Sequence, residues 1–157
     1  MLIINTDKDF SLSRLSEVAE CVWRELKQKE PLYAELDFVS ARRIHKVNRE
    51  TRGVDAVTDV LSFPMLVGIK GKVVTRKEHP FDFDEDANAI FLGTVLINMQ
   101  RVKSQAKAFG HSEEREAYYL IVHALLHLFG FDHVTESDKR EMREKEEKIM
   151  DFLGITR

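Results

Sequence analysis

Three histidines, His123, His127 and His133, fall within the run HALLHLFGFDH at spacings that suit a single metal ion. His123 and His127 stand four apart in an apolar helical stretch, so both imidazoles project from one face, one turn above the other. Gly130 follows where a helix is expected to end, since glycine enters the left-handed region freely. That turn lets the chain double back and carry His133 to the same point. Three neutral nitrogen donors with a fourth position open describe a catalytic zinc site, one ion per chain, whereas a closed structural site calls for a fourth protein ligand, usually cysteine. The only cysteine, Cys21, is far away in sequence. Three unrelated histidines would each need a separate hydrogen-bond partner inside an apolar segment.

The spacing also matches the H-E-x-x-H-x-x-G-x-x-H pattern of zinc proteases in its histidines and its glycine. The glutamate that serves those enzymes as general base is Ala124 here. Zinc lowers the pKa of a bound water to about 7, but the helix lacks the carboxylate that would take the proton. Peptide hydrolysis by that route is disfavoured, and a substrate that brings its own charge is favoured.

Several elements must position these residues. Residues 1–5 read as a strand, and residues 12–29 as a helix whose apolar stripe includes Leu15, Val18, Val22 and Leu26, with Cys21 on the opposite side as an ordinary thiol. Residues 32–39 alternate like a half-buried strand. A helix from Ser40 to Thr51 turns Ile44 and Val47 inward and the basic row Arg42, Lys46, Arg49 outward. Thr58 to Phe63 is a buried strand closed by Pro64. Residues 65–88 hold Gly68, Gly71, Pro80 and an acidic cluster, and form a loop or flap. Ala89 to Ile97 is apolar on both faces, as in a strand covered on both sides. Asn98 and Ser112 cap the next two helices. The second of these, apolar on nearly every side from Ala117 to Phe129 except at its histidines, is the buried centre of the domain. A charge-laced helix over 136–153, with Glu141/Lys145 and Glu144/Lys148 in the stabilising order, covers the core. The expected class is α+β: a small mixed sheet of about four strands with helices packed on it.

The 157 residues, 43% hydrophobic and 32% charged, fit one domain. There is no basic-then-apolar leader and no apolar run long enough to span a bilayer, so a cytoplasmic protein without membrane partners is expected. A single cysteine excludes an internal disulfide. With a net charge of −3, any nucleic-acid binding must rest on local patches.

The histidine run together with RGVDAVTDVLSFP, residues 52–64, resembles the YbeY family of bacterial metal-dependent endoribonucleases, which mature and police ribosomal RNA. The resemblance covers almost the whole chain and rests on two long motifs, H-G-x-L-H-L-x-G-Y-D-H and R-G-x-D-x-x-T-D-V-L-S-F-P. It implies zinc on His123, His127 and His133, a functional role for Arg52, and single-stranded RNA, ribosomal RNA and the small ribosomal subunit as partners. Ala124 replaces the family's usual glycine, Phe131 its tyrosine, Val57 a common proline, and Thr94 a frequent aspartate.

The reading is phosphodiester hydrolysis, with Arg52 gripping two phosphate oxygens. Taken without the resemblance, Arg52 is an ion-pair partner of Asp55 or Asp59. Asp132, beside His133, is a partner of a ligand histidine sooner than the base, and the base is unassigned. The row Arg42, Lys46, Arg49 leads to Arg52 as a track for single-stranded RNA, with Phe81, Phe83 and Tyr33 as candidate stacking surfaces. Two rival readings stand beside this one: a metal-dependent hydrolase of another substrate, and a ribosome-assembly binding module whose metal mainly stabilises the fold.

Overall fold

The computed structural model describes residues 1–6 and 12–155. In chain order the elements are β1 (Leu2–Asn5), α1 (Leu15–Glu25), β2 (Leu32–Val39), α2 (Ala41–Arg52), β3 (Val60–Pro64), a 3₁₀ turn (Pro80–Asp82), β4 (Phe83–Asp84), β5 (Ala89–Asn98), α3 (Met99–Phe109), α4 (Glu113–Leu128) and α5 (Glu136–Phe152). β1, β2 and β5 run parallel, β3 closes the order β1-β2-β5-β3 as an antiparallel strand, and β4 pairs with the start of β5. The α+β class is as expected, with a fifth strand, the two-residue β4, added to the four. No described helix is long and apolar enough to cross a membrane.

Side chains alternate between the faces of a strand, and β5 shows what each face meets. Val95 and Ile97 join the main core with α1, α4 and α5, while Leu96 joins Val39, Ile44 and Leu61 beneath α2. Helices therefore cover both faces, as parallel connections require. For this reason β2 departs from the half-buried alternation: Leu32, Tyr33 and Ala34 are all buried. Local capping is as the sequence indicates. Ser40, Asn98 and Ser112 each accept backbone N–H groups at the starts of α2, α3 and α4.

Helix α1 stops at Glu25, short of the expected 29, because Lys27 adopts a left-handed conformation (φ 56°) and turns Gln28 inward. The buried Gln28 amide donates to Leu26 O and Lys72 O and accepts from Val74 N–H, at 2.8–3.0 Å. With Leu66, Ile69 and Val74 buried, the start of the 65–88 segment is anchored to the core. Cys21 is not on an open side. It is buried under α5, its Sγ 4.0 Å from Ile149 O, and burial pushes its thiol pKa up, as for an unreactive thiol. In α5 the expected i,i+4 pairs give way to tertiary ones. Lys145 and Lys148 both reach the largely enclosed Glu25, at 3.0 and 2.9 Å, and Glu141 pairs with Lys70.

One glycine lets the sheet and α4 meet. The β2/β5 register shifts between Tyr33 and Ala34, whose partners are Phe91 and Gly93, leaving Leu92 as a bulge. Gly93 has φ 139°, and a Cβ there would collide with the Phe63 carbonyl oxygen and come within 3.0 Å of Leu128 Cδ2. Gly93→Ala should cost on the order of 3 kcal/mol or more, since strain adds to a clash with unyielding backbone. Urea unfolding checks this: a midpoint close to the parent's would show that β3 has room to shift.

Candidate metal centre

Helix α4 delivers the first two histidines. Its first turn carries Glu113, Glu114 and Glu116, which suit the positive end of the helix, and its centre is buried against the sheet. The Nε2 atoms of His123 and His127 face each other at 3.1 Å. At the helix end Gly130 takes φ 92°, Phe131 N–H returns to Leu126 O at 3.0 Å, and the chain reverses. His133 then stands with its ring centroid 5.7 Å from that of His123 and 5.0 Å from that of His127. One nitrogen from each of the three rings lies within 4.8 Å of the others.

The outer nitrogens decide what the inner ones can do. His127 Nδ1 donates to Phe131 O at 2.9 Å, which leaves its Nε2 as an acceptor in the neutral ring. Burial, followed by the charges of His123 and His133, lowers the His127 pKa to about 4, so the ring is neutral at physiological pH. His123 Nδ1 donates to Glu146 Oε1 at 2.5 Å. Burial pushes the Glu146 carboxyl up, but the hydrogen bond and charge of His123, with the Tyr119 hydroxyl, bring it below the usual carboxylate range. Nitrogen donors from His123, His127 and His133, all within 4.8 Å of one another, are a set that fits a metal ion.

The turn is packed from outside. A Cβ at Gly130 would press on the Lys70 backbone nitrogen at 3.1 Å, and Lys70 Nζ lies 5.7 Å over the Phe131 ring. Asp132 Oδ1 accepts His133 N–H at 2.8 Å and stays 4.0 Å from His127 Nδ1, so it shapes the turn and makes no bond to that ring.

Arg52, the last residue of α2, pairs with neither Asp55 nor Asp59. Asp55 is taken by His45 at 2.7 Å, and Asp59 contacts Gln105 and Thr58. Arg52 Nη2 instead donates to Ser62 O, and its guanidinium carbon lies 5.4 Å from the Phe63 ring centroid. A groove of about 800 Å³ joins it to the histidines, with Asn48 and Asp59 also in its wall.

The sequence profile of the Endoribonuclease YbeY family matches residues 3–154. Endoribonuclease YbeY of Clostridium perfringens (strain SM101 / Type A) is 44% identical over 149 residues, covering 92% of this chain and 88% of that protein. That of Clostridium botulinum (strain Alaska E43 / Type E3) is 41% identical over 148 residues, covering 92% and 89%. This chain belongs to the endoribonuclease YbeY family. A solution structure of a Thermotoga maritima protein shares the fold at TM-score 0.55 and 20% identity, over 98% of this chain and 91% of that one.

The exposed row Arg42, Lys46, Arg49 lies along the helix that ends in Arg52. The expected stacking aromatics are elsewhere. Tyr33 is buried, stacks on Phe91 and donates to Asp84, and burial with that bond raises its pKa to about 12. Phe83 lies beneath Arg76 at 3.7 Å, and Phe81, although fully exposed, does not line the groove. Thr94, in the position of the family's frequent aspartate, is outside the groove wall as well.

Glu146 was not evident from sequence, yet a signal existed. It lies four residues after Met142 and three and four before Ile149 and Met150, so a carboxylate interrupts the buried stripe of α5. After loading with zinc, alanine at any one of the three histidines should leave metal content well below one ion per chain and lower the melting temperature, because bound metal stabilises the folded state. Full stoichiometric zinc in His133→Ala would remove the third ligand.

Proposed function

We propose that this protein is a single-domain, zinc-dependent endoribonuclease of the cytoplasm. It cuts single-stranded RNA and acts on ribosomal RNA in small-subunit maturation and ribosome quality control. One observation carries the reading: a single groove is walled by the three converging histidines and by an arginine free of carboxylate partners among the described residues.

Zinc held by His123, His127 and His133 would supply Lewis acidity for the charge that grows on a phosphate during hydrolysis. The chain's own residues do the rest of the positioning. The carbonyl of Ser62 and the face of Phe63 hold one side of the Arg52 guanidinium, so its remaining N–H groups are oriented before substrate arrives. A planar, permanently charged fork grips two phosphate oxygens at once, and its charge matters most as the phosphate becomes more negative. The exposed Arg42, Lys46 and Arg49 attract the backbone on either side of the cut. At position 124 the general base of zinc proteases is absent, and Ala124 is fully buried. This disfavours peptide as substrate.

Incubating the zinc-loaded protein with ribosomal RNA and, separately, with an unstructured peptide tests the reading. RNA should be cut, cutting should stop with chelator and return with zinc, and the peptide should survive. RNA bound without cleavage would make the protein an assembly module, and peptide cleavage would make it a different hydrolase.

Arg52→Ala should keep its zinc and melt close to the parent, yet cleave on the order of a hundredfold more slowly. Arg52→Lys should recover part of the rate, and Arg42→Ala and Lys46→Ala should weaken RNA binding in a salt-dependent way with little change in cleavage. Normal cleavage by Arg52→Ala, or its failure through unfolding, would return Arg52 to a structural role.

A further inference from the structure

We infer that Glu146 is the positioning residue of the metal centre: its carboxylate fixes the His123 ring so that Nε2 faces the ion, and Tyr119 fixes the carboxylate. The inference rests on the metal reading above and extends it to a residue on a different helix.

The first argument is cost. Glu146 is only 6% exposed, on the face of α5 that otherwise buries Met142, Ile149 and Met150. A charge in such a place is unfavourable unless paired and hydrogen-bonded, and an apolar residue of similar size would serve the fold at least as well. Its partners are not a lysine or an arginine. Oε1 accepts from His123 Nδ1 at 2.5 Å, Oε2 accepts from the Tyr119 hydroxyl at 3.0 Å, and both donors belong to α4. The carboxylate is thus spent on a ligand histidine and on the residue four before it.

Geometry supplies the second argument. A bond this short to an ionised acceptor is strong and directional. It commits the proton of His123 to Nδ1, leaves the lone pair on Nε2, and stops the ring from turning about its own axis. That Nε2 is the atom 3.1 Å from His127 Nε2. The negative charge behind the ring also makes Nε2 a better donor and offsets part of the ion's charge. The other two ligands lack this support. His127 Nδ1 rests on a neutral carbonyl, that of Phe131, and Asp132 stops 4.0 Å short of it. The His133 ring has no carboxylate partner among the described residues.

The test is zinc affinity, read by competition with a chromogenic chelator, on the full-length parent, Glu146→Gln and Tyr119→Phe. Melting of each metal-free protein is measured alongside, and nitrogen NMR of the parent's histidine rings gives the tautomer. Glu146→Gln keeps the shape and loses the charge, so it should bind zinc about 10- to 100-fold more weakly while its metal-free form melts near the parent. Tyr119→Phe should show a smaller loss in the same direction, and His123 should carry its proton on Nδ1. Parental zinc affinity in Glu146→Gln would overturn the proposal. So would a proton on Nε2 of His123 in the neutral ring of the parent, a readout that holds even if Glu146→Gln fails to fold. If the parent itself takes up no zinc, both the metal reading and this proposal fall. If the parent binds zinc and Glu146→Gln binds it equally, only this proposal does.

Discussion

Two imidazole nitrogens brought to 3.1 Å of each other on one face of α4 are the constraint around which the site is built. The surrounding structure keeps them in place through contacts from three directions. A backbone carbonyl holds His127 and a buried carboxylate on α5 holds His123. The Gly130 turn, packed against the Lys70 backbone, fixes the path that brings His133 back. Rings held by such contacts are pre-organised, so little of a metal ion's binding energy would be lost to ordering them.

The groove owes its position to the edge of the sheet. α2 and α4 cover opposite faces, and residues from both reach one cleft because β3 is the last strand of the order. There the C-terminus of α2 brings Arg52 past the rim while α4 supplies the histidines. The close approach of Gly93 to Phe63 and Leu128 lets α4 pack tightly against that edge. Charge is segregated in the same sense. The chain carries −3 overall, yet α2 holds five basic residues and one acidic residue, a local field suited to a polyanion.

Features that depend on near neighbours in the chain were legible without coordinates. The four-residue step of His123 and His127, the glycine that ends their helix, and the caps at Ser40, Asn98 and Ser112 follow from backbone geometry alone. Features that depend on a distant partner were not. Tyr33 was a candidate stacking surface until β5 placed Phe91 against it, and Cys21 was on an outer side until α5 covered it. Lys145 and Lys148 each had a plausible partner one turn away, but Glu25, 120 positions from the first of them, offered a better enclosed one.

The sequence by itself determined the histidine cluster, the helix and turn that carry it and the family, because three rings on one helix and one turn are a local object. Only the tertiary structure decided what stands behind the ligands and what faces them. Glu146 is 23 residues from His123, and it reaches the ring only because α5 packs across α4. Arg52 met the Ser62 carbonyl and the Phe63 face in place of a carboxylate because β3 lies beside the end of α2. Hydrogen bonds and charges act over a few ångströms, so these pairings are set by how the elements pack, and the carboxylate that interrupts the apolar stripe of α5 does not name its partner.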